Sequence, residues 1–133
     1  MRMSYHRIAY EALEVCNAVE MATLEAAVSR ADPPPGVRAL DIGSGNGAVA
    51  IRLAERFGLA VDTVELDPAM ADLARRRIAA SPARDRVTLH PARAGDVLAA
   101  SAPYALIVAL GVTEPVGAAC ATRRACWRDW RRI

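Results

Sequence analysis

Ala39-Leu40-Asp41-Ile42-Gly43-Ser44-Gly45-Asn46-Gly47 is the stretch on which the fold is decided. A short apolar run ends in an acid, and three glycines follow at every second position. Ala48-Val49-Ala50-Ile51-Arg52-Leu53-Ala54-Glu55-Arg56 comes next and reads as a helix. Strand, glycine turn, helix is the local order of a phosphate- or nucleoside-holding loop in a doubly wound parallel sheet. Glycine serves such a loop in two ways: it permits positive φ in a tight reversal, and it lets backbone approach a ligand with no Cβ in the way. The helix start then turns its free N–H groups toward the crevice.

Outward from the loop, the same grammar repeats. The helix runs to about Phe57 and stops at Gly58. Ala60-Val61-Asp62-Thr63-Val64-Glu65 is a second strand. Pro68 opens the next helix at its first turn, where a missing N–H is harmless. Met70, Leu73, Ala74 and Ile78 line one face of that helix, and Arg75, Arg76 and Arg77 read as its solvated side. Arg86 to His90 is a third strand, Gly95-Asp96-Val97-Leu98 begins a short helix or turn, and Tyr104 to Leu110 is a fourth strand. The first and fourth runs are almost continuously apolar, as for central parallel strands covered on both faces. The alternation predicts an α/β fold with right-handed crossovers.

Upstream, residues 4–30 carry apolar positions at helical spacing (Ile8, Leu13, Val15, Val19, Met21, Leu24, Val28). A break is expected at Cys16-Asn17-Ala18, because asparagine competes for the backbone. Asp32-Pro33-Pro34-Pro35-Gly36 ends the segment, since no helix survives three prolines. The expected organisation is a helical cap over 1–32, a nucleotide-loop domain over 37–117 and an atypical tail over 118–133.

Composition narrows the class. The 133 residues are 53% hydrophobic, which is globular and enough for one domain. No apolar run approaches the length of a membrane span and no signal peptide opens the chain, so a cytoplasmic protein without membrane association is expected. Cys16, Cys120 and Cys126 lack metal-ligand spacing and read as free thiols; no metal is expected. His6 and His90 read as structural, and Trp127 and Trp130 as packing residues. The chain has no lysine, and residues 1–122 hold 12 arginines against 14 acids. Only the tail is basic, so no nucleic-acid footprint is visible and nucleic acid is an unlikely partner on this reading.

Two ligands compete for the loop. Gly43, Gly45 and Ala48 satisfy the dinucleotide spacing, and Glu65 lies 22 residues beyond Gly43, near the position of a ribose-binding acid. Asp41 argues the other way. A carboxylate beside the loop would face a pyrophosphate, and no basic residue between Asp41 and Ala50 offsets it. A ligand with a positive group and no phosphate fits better.

At this point the chain resembles the class I S-adenosylmethionine-dependent methyltransferases, which have a Rossmann-like fold. Leu40 to Gly47 is similar to their first motif. Val61-Asp62-Thr63-Val64-Glu65-Leu66-Asp67-Pro68-Ala69-Met70 is similar to their second-strand motif. Gly95-Asp96 and the Tyr104-to-Leu110 strand resemble the third and fourth. The resemblance spans roughly residues 37–112. It implies that S-adenosyl-L-methionine is the cofactor. Gly43, Ser44, Gly45 and Gly47 would cradle its methionine half and ribose, and Asp41 would hold the ammonium. Glu65 would accept both ribose hydroxyls. Leu66 would pack on adenine, Asp96 would accept from the adenine amino group, and Ala109 and Leu110 would lie near the transferred methyl.

Each acid also has a plainer reading. Asp41 could cap the turn, Glu65 could be a strand end, Asp96 could be a helix N-cap. Asp67 reads as the cap of the helix opened by Pro68. No catalytic base is named; Tyr5, His6 and Tyr10 are candidates to line an acceptor pocket. Gly111-Val112-Thr113-Glu114-Pro115 lacks the Asn/Asp-Pro-Pro-aromatic signature of amino-group methylation, so a small-molecule acceptor is expected. Four strands where the family usually has seven suggest a chain truncated after the fourth. Pairing of the open edge with a second copy or another partner is the alternative to truncation. An NAD(P)-binding oxidoreductase fragment and a non-catalytic cofactor-binding subunit are the alternatives.

Overall fold

The computed structural model describes residues 5–16, 19–100 and 103–110. The helices are α1 (Tyr5–Tyr10), α2 (Met21–Ala31), α3 (Ala48–Phe57), α4 (Pro68–Ala80) and α5 (Ala94–Ala100). The strands are β1 (Arg38–Ile42), β2 (Ala60–Val64), β3 (Val87–His90) and β4 (Leu106–Ala109). Among the described residues the strands form one parallel sheet in the order β3-β2-β1-β4. The expected doubly wound α/β sheet is therefore present. The chain winds outward from β1 through β2 to β3, then returns to the other side of β1. Strand order thus reverses between β1 and β4, and the crevice beyond their carboxyl ends is where such sheets hold ligands.

Sidedness follows from the two-residue period of each strand. Ala39, Val61, Val87 and Val108 share a core with α2 (Met21, Leu24, Val28), α3 (Val49, Ala50, Leu53, Ala54) and α4 (Ala74, Ile78). On the opposite face Leu40, Ile42 and Val64 pack against Ala94 and Val97 of α5, with Tyr104 and Ile107 alongside. The four residues Ala39–Ile42 are all buried, which explains why β1 reads as an unbroken apolar run.

Helix ends are set by the residues that punctuate the sequence. Gly47 (φ 81°) precedes α3, and Gly58 (φ 67°) ends it with its N–H donating to the Ala54 carbonyl. Both positions need a left-handed backbone that costs a side-chain-bearing residue about 1–2 kcal/mol. Asp67 caps α4, accepting from the N–H groups of Ala69 and Met70 at 2.8 and 3.2 Å. Asp32 takes φ 46° at the end of α2 and returns its N–H to Val28, after which the prolines prevent continuation.

Three details differ from the sequence reading. The expected break at Cys16-Asn17-Ala18 is wider: α1 ends at Tyr10 and α2 begins at Met21. The carbonyls of Tyr10 and Leu13 accept from Asn46 instead, so tertiary hydrogen bonds replace helical ones. β3 starts at Val87, after a 3-10 turn over Arg84–Arg86, and β4 is shorter than expected at both ends. Arg77 is not simply solvated, because its guanidinium donates to the Glu11 carbonyl. Arg75 pairs with Asp72 on the exposed side, as expected of a solvated face. The tail, Gly111 to Pro115, Cys120, Cys126, Trp127 and Trp130 lie outside the described residues, as do the side chains of Tyr5 and His6.

Candidate cofactor site

The loop leaves β1 at Ile42 and is tied at once to the next strand. The N–H groups of Gly43 and Ser44 both donate to the Val64 carbonyl at 2.9 Å. Gly43, Gly45 and Gly47 all have positive φ (74°, 53° and 81°). Two of these glycines also answer to different neighbours. A Cβ on Gly45 would meet the Cys16 Sγ at 3.0 Å, so this glycine makes room for the segment that follows α1. A Cβ on Gly47 would meet Ala74 at 3.2 Å, so this one lets α3 and α4 come together.

Glu65 closes the loop from the other side. Its Oε2 accepts the Gly45 N–H at 2.8 Å and its Oε1 accepts the Asp67 N–H at 2.9 Å. A carboxylate has about four acceptor positions, so each oxygen keeps one for a ligand. The neighbouring Leu66 is 67% exposed, an apolar side chain held on the surface beside that carboxylate. With two thirds of its surface in water it adds little apolar burial to the fold.

Asp41 lies beneath the loop at 2% exposure. Thr63 Oγ1, on the neighbouring strand, donates to its Oδ2 at 3.0 Å and is its one hydrogen-bond donor among the described residues. Burial pushes the carboxyl up to about 7, against the pull of the Thr63 hydroxyl, and the nearby Glu65 charge adds to the rise. Ser44 is also buried, and its Oγ has no hydrogen-bond partner among the described residues. A buried hydroxyl without a partner is uncommon and marks a place where a ligand or water completes the set.

The remaining expected site residues spread along the carboxyl edge of the sheet. Asp96 is exposed and sits third in α5, not at the N-cap position, so the capping alternative does not hold. Ala109 ends β4 beside Ile42, and is exposed, with Leu110 half-buried after it. The loop, Asp41 and Glu65 are joined by direct contacts. Leu66, Asp96, Ala109 and Leu110 share the same edge without a contact to them that decides a role.

The sequence reading missed Asn46 and Cys16. Asn46 is 1% exposed; its Nδ2 donates to the Leu13 carbonyl at 2.7 Å and its Oδ1 accepts the Ala48 N–H at 3.0 Å. A fully polar side chain between two glycines was the available signal. It also missed a polar cluster on the other face of the sheet. Asp62 accepts from Arg38 at 2.6 Å and Tyr104 at 3.0 Å, and pairs with His90 at 2.8 Å. Arg38 lies over the Tyr104 ring at 4.5 Å. Burial alone would raise the Asp62 carboxyl, but the hydrogen bonds from His90, Arg38 and Tyr104 outweigh it and hold the group low. His90 is structural in this sense, as expected.

Comparison with known proteins identifies the family. Residues 39–133 match the methyltransferase domain model, and the chain belongs to that family. This bears out the resemblance to the class I S-adenosylmethionine-dependent methyltransferases and its Rossmann-like fold. The tRNA1(Val) (adenine(37)-N6)-methyltransferase of Pectobacterium carotovorum is 40% identical over 89 residues, which cover 62% of this chain and 35% of that protein. The enzyme of the same name from Porphyromonas gingivalis is 46% identical over 63 residues, covering 47% of this chain and 24% of its own length. The chain thus spans about a third or less of these relatives. Among solved structures, a SAM-dependent methyltransferase from Thiobacillus denitrificans in complex with S-adenosyl-L-homocysteine superposes with TM-score 0.76. It is 20% identical, over 94% of this chain and 50% of that one. Its counterpart from Geobacter sulfurreducens gives TM-score 0.70 at 21% identity, over 84% and 45%. These two likenesses carry the fold.

One expectation is overturned. The mildly acidic charge of residues 1–122 points away from nucleic acid, and the missing amino-methylation signature points to a small-molecule acceptor. The relatives above are named for a tRNA adenine. Net charge does not exclude nucleic acid, because phosphate contacts gather on local patches. Among the described residues, no helix is long and apolar enough to cross a membrane.

Proposed function

We propose that this chain binds S-adenosyl-L-methionine at the Gly43–Gly47 loop and serves as the cofactor-binding part of a methyltransferase acting on adenine in RNA. The observation that carries the cofactor is the Glu65 carboxylate, fixed by two backbone N–H groups with acceptor positions to spare, next to exposed Leu66. Ribose hydroxyls suit those positions, and adenine suits the leucine. The cofactor is cationic at its ammonium and sulfonium and has no phosphate. That matches a loop with Asp41 and Glu65 close by and no basic residue between Asp41 and Ala50. A dinucleotide would set its pyrophosphate against the same acids.

On this reading the ammonium sits over Asp41, and the Ser44 hydroxyl gains its missing partner from the methionine half. Asp96 receives the adenine amino group, and Ala109 and Leu110 border the reacting end. When bound, the cofactor supplies a methyl group on a good leaving group for in-line displacement. What the chain adds is alignment. The relatives' names support adenine in RNA as the acceptor. The base, if the reaction uses one, is unassigned. The cytoplasmic location expected from the sequence goes with this reading.

Calorimetric titration with S-adenosylhomocysteine tests the cofactor, with NAD as control and Glu65→Gln and Glu65→Ala as variants. Micromolar binding is expected, weakened about tenfold or more by losing charge-assisted acceptors, with none for NAD. Binding of NAD in its place overturns the proposal. Transfer of tritiated methyl to an unmodified tRNA transcript, followed by nucleoside analysis for N6-methyladenosine, tests the acceptor. Cofactor binding without incorporation keeps the first half and removes the second.

A further inference from the structure

We infer that Asn46 is a positioning residue for the cofactor, latching the segment Tyr10–Cys16 over the glycine loop so that this segment forms one wall of the site. The inference rests on the S-adenosylmethionine reading above. Its basis is the double use of one buried amide. The Nδ2 group reaches 33 residues back along the chain to the Leu13 carbonyl at 2.7 Å and also donates to the Tyr10 carbonyl at 3.4 Å. The Oδ1 atom accepts the Ala48 N–H at 3.0 Å and starts α3. A carboxamide carries its donors and its acceptor on separate atoms, so one side chain reaches the carbonyls on one side and the N–H on the other. An aspartate would keep the second contact and set a charge against two carbonyl oxygens.

What the latch brings down is specific. Cys16 packs on Gly45, where its Sγ lies 3.0 Å from the position a Cβ would take. Gly45 is the residue whose N–H holds Glu65. Burial raises the thiol's pKa and the Glu65 charge adds to the rise, against the pull of a hydrogen bond from the Asn46 backbone and of the Arg77 charge. The segment therefore meets the loop at the carboxylate proposed to take the ribose. The segment is also held by Val15, packed against the core, and by two contacts at its surface: Arg77 donates to the Glu11 carbonyl, and Arg52 pairs with Glu14 at 3.2 Å, with 40% and 65% of those two side chains exposed. Exposed pairs hold little, whereas a buried amide left without partners is costly. The hydrogen bonds that join the segment to the glycine loop are thus gathered at Asn46.

The test uses the full chain carrying Cys120→Ser and Cys126→Ser, so that Cys16 is the one thiol. Asn46→Asp keeps an acceptor for the Ala48 N–H and removes the latch. Asn46→Ser keeps an acceptor oxygen without the charge and stands in if the aspartate fails to fold. The readouts are the rate of Cys16 alkylation by iodoacetamide and the affinity for S-adenosylhomocysteine by calorimetry, with circular dichroism as the check on folding. Both variants are expected to label about tenfold faster and bind about tenfold more weakly, the scale of one buried hydrogen bond lost. S-adenosylhomocysteine is expected to protect Cys16 in the parent chain and less so in the variants. Unchanged labelling overturns the latch, even if affinity falls, because Asn46 would then act through the helix start alone. Faster labelling with unchanged affinity overturns the link to the cofactor. A parent chain that does not bind S-adenosylhomocysteine overturns the cofactor reading and this inference together.

Discussion

Asp41 and Asp62 sit on adjacent strands and face opposite sides of one sheet, and they are treated in opposite ways. Asp62 receives three side-chain donors, from Arg38, His90 and Tyr104, and its carboxyl is held low. Asp41 is more deeply buried, receives one hydroxyl, and is pushed up to about 7. The first arrangement spends its hydrogen bonds on joining β1, β2, β3 and the approach to β4. The second leaves a carboxyl short of partners under a glycine loop. A buried acid with a full set of donors stabilises a fold; one kept under-supplied is available to a ligand.

The largest expected effect comes from emptying the well-supplied site. Asp62→Ala removes the acceptor shared by Arg38, His90 and Tyr104, all partly exposed, while Arg38 and Tyr104 keep their contact with each other, and should cost about 2 kcal/mol in urea unfolding. Affinity for S-adenosylhomocysteine should hold within about twofold, since truncation on that face leaves the loop intact. A large loss of affinity with little loss of stability would break the comparison.

Asp41→Asn should do the reverse. Binding of S-adenosylhomocysteine at pH 8 should weaken about tenfold for the loss of one charged partner, while stability there rises. The sign follows from linkage. Burial pushes the folded carboxyl up to about 7 from the ordinary 3.8, so the native state holds a proton that the unfolded chain releases in that window. Stability therefore declines as pH rises from about 4 to 7, and the variant should flatten that limb. Asp62 has the opposite limb: its low carboxyl contributes above its unfolded pKa and is lost as pH falls through the folded value. Thermal unfolding across pH 3 to 8 separates the two.

Thr63→Val is the smallest and sharpest change. It removes the single donor to Asp41 with almost no change in volume, and should cost about 1 kcal/mol. The midpoint of the Asp41 limb should move to higher pH. A midpoint that stays in place would mean the hydroxyl does not set the carboxyl's titration.

The sheet was legible because its strands are short apolar runs bounded by glycine, proline and acids, and those boundaries act locally. Gly58, Pro68 and the three prolines after Asp32 stop or start helices by their own backbone chemistry. The loop with its flanking acid was legible for the same reason, as was Asp67 at the head of α4. What did not show was made of long-range pairs. Asn46 reaches back 33 residues, the Asp62 cluster draws on four separate stretches, and Cys16 meets Gly45 only after the chain has folded. Helical spacing over residues 4–30 overstated the helix because Tyr10 and Leu13 spend their carbonyls on the loop. Nucleic acid was set aside on net charge, which averages over surface and says nothing of where a phosphate would lie, and a small molecule was favoured on the signature missing from residues 111–115.

Under the proposed function, the Asp41 carboxyl has two rival occupants. A proton satisfies it in the empty protein near neutrality, and the ammonium of the cofactor satisfies it in the loaded one. Loading then expels a proton, and proton activity becomes a competitive inhibitor at a position the acceptor never touches.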